Sequence, residues 1–203
     1  MEGPYRFIAR IYDVAVEPFQ RRLREVAMAM HRPRPGMAVL DVGCGTGTHL
    51  AMYRKAGCAV HGIDLSPAML SKASARLGED ADLCLGDAAA LPWPDGSFDL
   101  VVSQTFLHEL DRPTQGTVMA EMRRVVRDDG RVLVVDHRPG PASLPRAVGT
   151  TFEFLAGPRH FRAYRAFVAA GGLPALVAEA PFAVEREQVA AAGTMSVMLL
   201  VPA

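Results

Sequence analysis

With 203 residues, half of them hydrophobic, the chain is long enough for one domain around one sizeable core. Its 22 basic and 22 acidic side chains cancel, which leaves no electrostatic footprint for general nucleic-acid binding. No apolar run is long enough for a membrane helix, no signal-peptide pattern is present, and the three cysteines (Cys44, Cys58, Cys84) lack metal-ligand spacing, so reduced thiols in a cytoplasmic protein are expected.

Residues 1–35 read as an N-terminal helical lid. Phe7, Ile8 and Ile11 alternate with Arg6 and Arg10, a pattern that suits a cover or contact with a membrane surface. A second helix is expected from about Pro18 to Met30, closed by Pro33, Pro35 and Gly36. Next, Val39-Leu40-Asp41-Val42 is a buried strand that runs into Gly43-Cys44-Gly45-Thr46-Gly47 and then a helix start. Glycine lets the backbone turn sharply and approach a bound molecule. A dinucleotide turn would read G-x-G-x-x-G; here the third glycine comes one residue early and Thr48 stands in its place. Asp41 before the turn is a poor neighbour for a pyrophosphate and a good one for an ammonium or sulfonium. A plain strand-to-helix turn is the alternative.

A second strand, Ala59 to Asp64, brings an acid to the neighbouring tip, where a carboxylate can accept from both hydroxyls of a ribose. Further strands are expected at Asp82 to Ala88, Ser97 to Ser103 and Gly130 to Asp136, with a loop from Ala88 to Gly96 and a helix from Pro113 to Arg127. Asp129-Gly130 marks the turn into the fifth strand. Prolines and glycines break the pattern over 139–158, a helix is expected from His160 to Ala170, and Ala183 to Val189 and Thr194 to Val201 read as two strands joined at Gly193. The order is that of an open α/β sheet.

Four segments in sequence, VLDVGCGTG, GIDLSPAML, GDAAALPWPDGSFDLVVSQTFLHEL and EMRRVVRDDGRVLVVD, make the chain resemble the class I S-adenosylmethionine (SAM)-dependent methyltransferases. The likeness is close over roughly 10–137 and is nearest to the small-molecule type, similar to ubiquinone/menaquinone C-methyltransferases and bacterial phospholipid N-methyltransferases. It implies a Rossmann-like, seven-stranded, mostly parallel sheet of order 3-2-1-4-5-7-6 with the last strand antiparallel and helices on both faces. It also implies SAM as cofactor and S-adenosylhomocysteine as product. Residues 1–203 then form a single methyltransferase domain in which 139–172 is a substrate-covering insertion.

The resemblance implies a cofactor site at the strand tips. Gly43, Cys44, Gly45, Thr46 and Gly47 receive the amino-acid end, with Asp41 taking the ammonium charge directly or through water. Asp64 takes the ribose hydroxyls, Leu65 and Met69 cover the adenine, Asp87 accepts from its amino group with the Ala88 backbone alongside, and Ser103 and Gln104 lie under the methyl donor. Tyr12 closes over the cofactor carboxylate. Two of these have plain alternatives: Met69 suits the core equally well, and Asp87 suits the cap of a turn.

Methyl transfer needs alignment, water exclusion and, for some acceptors, a base. His108 is the first candidate, as base or substrate-orienting group, against a loop-fixing role through the backbone. Relatives often carry His-His where this chain has His108-Glu109, which puts a family role for Glu109 in doubt. The pair is not H-E-x-x-H, since Arg112 follows, so no metal site is expected. Asp136 and His137 are further candidates, against helix packing or loop capping. His160, Tyr164 and Arg165, with Arg159 and Arg162, are candidate substrate contacts, against a solvated basic face. The expected partner is a small-molecule or lipid-like substrate, with no nucleic acid, no transmembrane segment, peripheral membrane contact allowed and the oligomeric state open. The alternatives in function are a non-catalytic SAM-binding scaffold and an NAD-dependent oxidoreductase.

Overall fold

The computed structural model describes residues 20–140 and 144–203, with side chains described except at 144–146, 148 and 152. The N-terminal segment, including Tyr12, lies outside the described residues. Seven strands form one sheet of order β3-β2-β1-β4-β5-β7-β6: β1 (Ala38–Val42), β2 (Ala59–Asp64), β3 (Asp82–Leu85), β4 (Phe98–Gln104), β5 (Val126–His137), β6 (Phe182–Ala190) and β7 (Met195–Pro202). The pairs from β3 through β5 are parallel, and β7 runs antiparallel to both of its neighbours. This is the expected order and orientation.

Alternation along each central strand supplies both faces of the sheet. Leu40, Val101, Val132 and Val134 face one core with α4 (Arg112–Val125) and α7 (Gly172–Ala178). Val39, Leu100, Val102, Leu133 and Val135 face the other with α1 (20–30), α2 (Thr48–Lys55) and α3 (Pro67–Leu77). Burial on both faces is why these strands read as nearly unbroken apolar runs. In α1, Leu23, Ala27 and Met30 recur at helical spacing and are buried.

Three expectations are corrected. Residues 139–158 are not simply a broken stretch: α5 (Leu144–Leu155) forms there, followed by α6 (Pro158–Ala169). Pro145 falls in the first turn of α5, where a missing N–H costs nothing. Helix α7 was not expected; Pro174 likewise sits in its first turn. Strand β5 begins at Val126 and not at Gly130, with an irregular register against β4 between Phe98 and Leu100 that accommodates Asp128-Asp129-Gly130.

Strand order reverses at β1, between β2 and β4. In open α/β sheets the crevice at such a switch, outside the carboxyl ends of the strands, is the ligand site. Among the described residues, no helix is long and apolar enough to cross a membrane.

Candidate functional site: the strand tips at the sheet switch point

The turn after β1 has positive φ at all three glycines: 74° at Gly43, 52° at Gly45 and 71° at Gly47. Two of them explain the motif. A Cβ on Gly43 would stand 2.4 Å from the Phe106 ring, so the turn and the tip of β4 close on each other only with glycine there. A Cβ on Gly45 would meet nothing within 4 Å; it borders open space where a ligand can meet backbone. The N–H groups of Gly43 and Cys44 both donate to the Ile63 carbonyl at 3.0 Å, and Arg76 donates to the Thr46 carbonyl from α3. Helix α2 starts at Gly47 with no side-chain cap, which leaves its first N–H groups for a carboxylate.

Asp64 anchors this turn. Its Oδ2 accepts from Gly45 N–H and its Oδ1 from Ser66 N–H, both at 2.8 Å. Each oxygen keeps a second lone pair for a ribose hydroxyl. Beyond it Leu65 is 73% and Met69 41% exposed, an uncovered apolar shelf that suits an adenine and argues against Met69 as core. Asp87 accepts from Ala89 N–H at 2.9 Å, so it does cap a turn, beside buried Ala88. Ser103 is buried and donates to the Val42 carbonyl at 3.0 Å, joining β4 to β1. Gln104 donates to Gln20 Oε1 at 2.5 Å, while its own Oε1 is buried without a hydrogen-bond partner among the described residues. Such an orphaned acceptor suits a cationic ligand. Next to it Thr105 holds φ 51°, a strained conformation fixed by its N–H bond to the Val135 carbonyl at 2.7 Å.

Asp41 lies buried under the turn. Burial first, then the charge of Asp64, pushes its carboxyl up to about 8, with Arg24 partly offsetting them. The unfolded carboxyl ionises near pH 4, so the folded chain keeps a proton that the unfolded chain has lost. Stability should therefore fall as pH rises from about 4 to about 8, then level off. Thermal melts across that range should show this slope in the wild type and a flatter one in Asp41→Asn; parallel slopes would contradict the assignment. Burial also raises the Cys44 thiol far above its ordinary value, which removes it as a nucleophile. Cys44, Cys58 and Cys84 form no disulfide.

The tips of β4 and β5 carry a second set of groups. A single 3-10 turn, Leu107–Glu109, holds His108 buried, with Nδ1 on Asp136 Oδ1 at 2.7 Å and Nε2 3.5 Å from Glu153 Oε2. Asp136 is fully buried and also accepts from the backbone N–H of His108 and His137. Despite the cost of burial, Asp136 and Glu153 hold His108 well above its ordinary value, and the charges and hydrogen bonds of His108 and His137 hold Asp136 below its own. With Nδ1 bonded to Asp136 and Nε2 facing Glu153, His108 is held as a positioning group. His137 Nε2 stands 3.3 Å from Glu153 Oε1, and His160 Nε2 touches Glu153 Oε2. Tyr164 is buried with its hydroxyl 3.3 Å from Thr150 Oγ1 and its ring 4.8 Å from His137. The expected constellation on α6 therefore divides: His160 and Tyr164 turn inward, while Arg159, Arg162 and Arg165 are exposed, Arg165 lying over the Phe161 ring.

Sequence reasoning missed Glu153, Gln20, Phe106, Arg76 and Gln115. Gln115 is buried and its amide donates to the carbonyls of Leu107 and Leu110 at 3.1 and 2.9 Å, fixing the turn that carries His108. Gln115→Ala takes the side-chain donor from the Leu110 carbonyl and leaves the Leu107 carbonyl with the Leu110 N–H alone; it should cost about 2 kcal/mol, read by denaturant unfolding, and a change under about 0.5 kcal/mol would contradict this role. A polar residue at an otherwise apolar helix position was the available signal.

Sheet order and the positive-φ glycine turn with Asp64 behind it are the arrangement that the likeness to SAM-dependent methyltransferases implied. Over residues 39–130 the chain belongs to the family described as "Methyltransferase domain". It is 37% identical to a demethylmenaquinone methyltransferase of Renibacterium salmoninarum over 64% of this chain and 55% of the relative. To a phosphatidylethanolamine N-methyltransferase of Cereibacter sphaeroides it is 38% identical over 64% of this chain and 66% of the relative. The chain spans a little over half the length of the first curated relatives it matches. Its fold is shared with geranyl diphosphate C-methyltransferase of Streptomyces coelicolor, solved with S-adenosylhomocysteine, at a TM-score of 0.66 and 13% identity over 94% of this chain and 83% of that one.

Proposed function

We propose that the chain transfers a methyl group from SAM to a small-molecule or lipid-like acceptor by in-line displacement. The observation that carries this reading is the glycine turn tied to Asp64, open at Gly45 and flanked by the bare shelf of Leu65 and Met69. The residues present fit SAM part by part. Asp64 would hold the ribose, the shelf would seat the adenine with Asp87 and Ala88 at its edge, and the first N–H groups of α2 would meet the carboxylate. Gln104 Oε1 would take the ammonium end, and Asp41, buried and protonated at neutral pH, would join it only by giving up its proton as the ammonium binds. SAM supplies a methyl group already activated by the sulfonium, so the chain's task is alignment and the exclusion of water.

The acceptor would enter between the tip of β4 and the covering helices α5 and α6. His108, Asp136, His137, His160 and Tyr164 form its wall there, and residues 139–172 would be its cover. The curated relatives named for demethylmenaquinone and for phosphatidylethanolamine both favour a small or lipid-like acceptor for this chain too. The early third glycine stands against the oxidoreductase alternative, because a dinucleotide turn needs it one residue later. Incubation with methyl-labelled SAM and a panel of quinol, phenol and phospholipid acceptors tests the reading. Label transfer to one class is expected; SAM binding without transfer across the panel would favour the scaffold alternative.

A further inference from the structure

Four separate elements bring three imidazoles to one carboxylate: His108 from the turn after β4, His137 from the end of β5, His160 from α6 and Glu153 from α5. We propose that Nε2 of these three histidines, with the Glu153 carboxylate, forms a binding site for a divalent first-row transition ion of the zinc class. With tetrahedral ligands at about 2.1 Å, neighbouring donor atoms stand about 3.4 Å apart and two ligating imidazole centroids roughly 5 Å apart. Here His108 Nε2 and His137 Nε2 stand 3.5 and 3.3 Å from Glu153 oxygens. The His108 ring lies 4.8 Å from that of His137 and 5.4 Å from that of His160, both edge-on at 88° and 90°. The direct contact of His160 with Glu153 is the one an entering ion would part.

The outer nitrogens support the same reading. His108 Nδ1 is bonded to Asp136 at 2.7 Å, and His160 Nδ1 stands 4.0 Å from Glu109 Oε2. A carboxylate behind a histidine, fixing its tautomer and aiming its other nitrogen inward, is the support metal-ligating histidines use. The cluster is also a poor packing element, since burying several ionisable groups is costly and a single ion at the centre would offset that cost. Three imidazoles and one carboxylate favour zinc, cobalt or nickel over magnesium and calcium, which take oxygen ligands. Histidine spacing in the sequence gave no sign of it, because the local His108-Glu109 pair lacks its second histidine at Arg112. An ion here would fasten α5 and α6 to the sheet tips. The site stands whether or not the chain transfers methyl groups.

The test is metal binding by the chelator-stripped full chain, followed by equilibrium dialysis with Zn2+, by the visible spectrum with Co2+, and by amide hydrogen exchange. Stoichiometric Zn2+ at micromolar affinity or tighter, tetrahedral Co2+ bands and slowed exchange in α5 and α6 are expected. His137→Ala and His160→Ala should each weaken Zn2+ binding more than tenfold, and Asp136→Asn by roughly 10–100-fold. Because His160 is only half-buried, its variant is the one expected to keep the fold, which circular dichroism checks. Asp64→Ala should lose SAM binding and keep Zn2+ binding, which separates the two sites. No Zn2+ binding by the wild type, Mg2+ binding as tight as Zn2+, or Zn2+ binding undiminished in folded His160→Ala would overturn the proposal.

Discussion

Asp64→Ala is expected to weaken SAM binding about 100-fold or more while leaving a folded chain. Two charge-assisted hydrogen bonds to ribose hydroxyls are each worth about 1.5–3 kcal/mol, and each 1.4 kcal/mol is a factor of ten. The loss is compounded because the same carboxylate holds Gly45 N–H, so the turn loosens where the ligand meets backbone. Glu109→Ala is the control, since Glu109 lies on the acceptor side beside His160. Isothermal titration with SAM and S-adenosylhomocysteine checks both variants; equal effects would refute the assignment of the cofactor side.

Asp136→Ala is expected to be the most damaging single change to stability, about 3–5 kcal/mol. Removing one partner of a buried ion pair leaves the other charge unpaired in the interior. His108 would keep only its longer contact with Glu153, and the backbone N–H groups of His108 and His137 would lose their acceptor as well. Asp136→Asn keeps the shape and an acceptor oxygen, so it should cost visibly less. Urea unfolding of the three proteins gives the ranking, and an Asp136→Ala loss below about 1 kcal/mol would show that the pair is not buried as described.

The central sheet was legible because its strands are short apolar runs that end in Asp or Gly, with β1, β2 and β4 each bounded by turn residues. The pairing of the glycine turn with Asp64 was legible for the same reason: both lie within two consecutive βα units, where spacing carries geometry. Helices α5 and α7 were not, because Pro145 and Pro174 read as breakers yet sit in first turns, and Gly149 is a mid-helix glycine whose Cβ would meet only open space. The acceptor side was only half legible. His108, Asp136, His137 and His160 stood out as residue types, but Glu153 joins them through tertiary packing alone, and no local pattern points from one to another. Similarly, the roles of Ser103 and Gln115 are hydrogen bonds to carbonyls that sequence does not display.

On the proposed function the reaction would be divided between two neighbouring regions: a donor seat at β1, β2 and α2, and an acceptor wall at the tips of β4 and β5 under α5 and α6. The most direct measurement of this account is an equilibrium titration of the full chain with SAM, S-adenosylhomocysteine and NADH. The account predicts micromolar or tighter binding of the first two and none of the third. Absence of SAM and S-adenosylhomocysteine binding, or tight binding of NADH in their place, would contradict it.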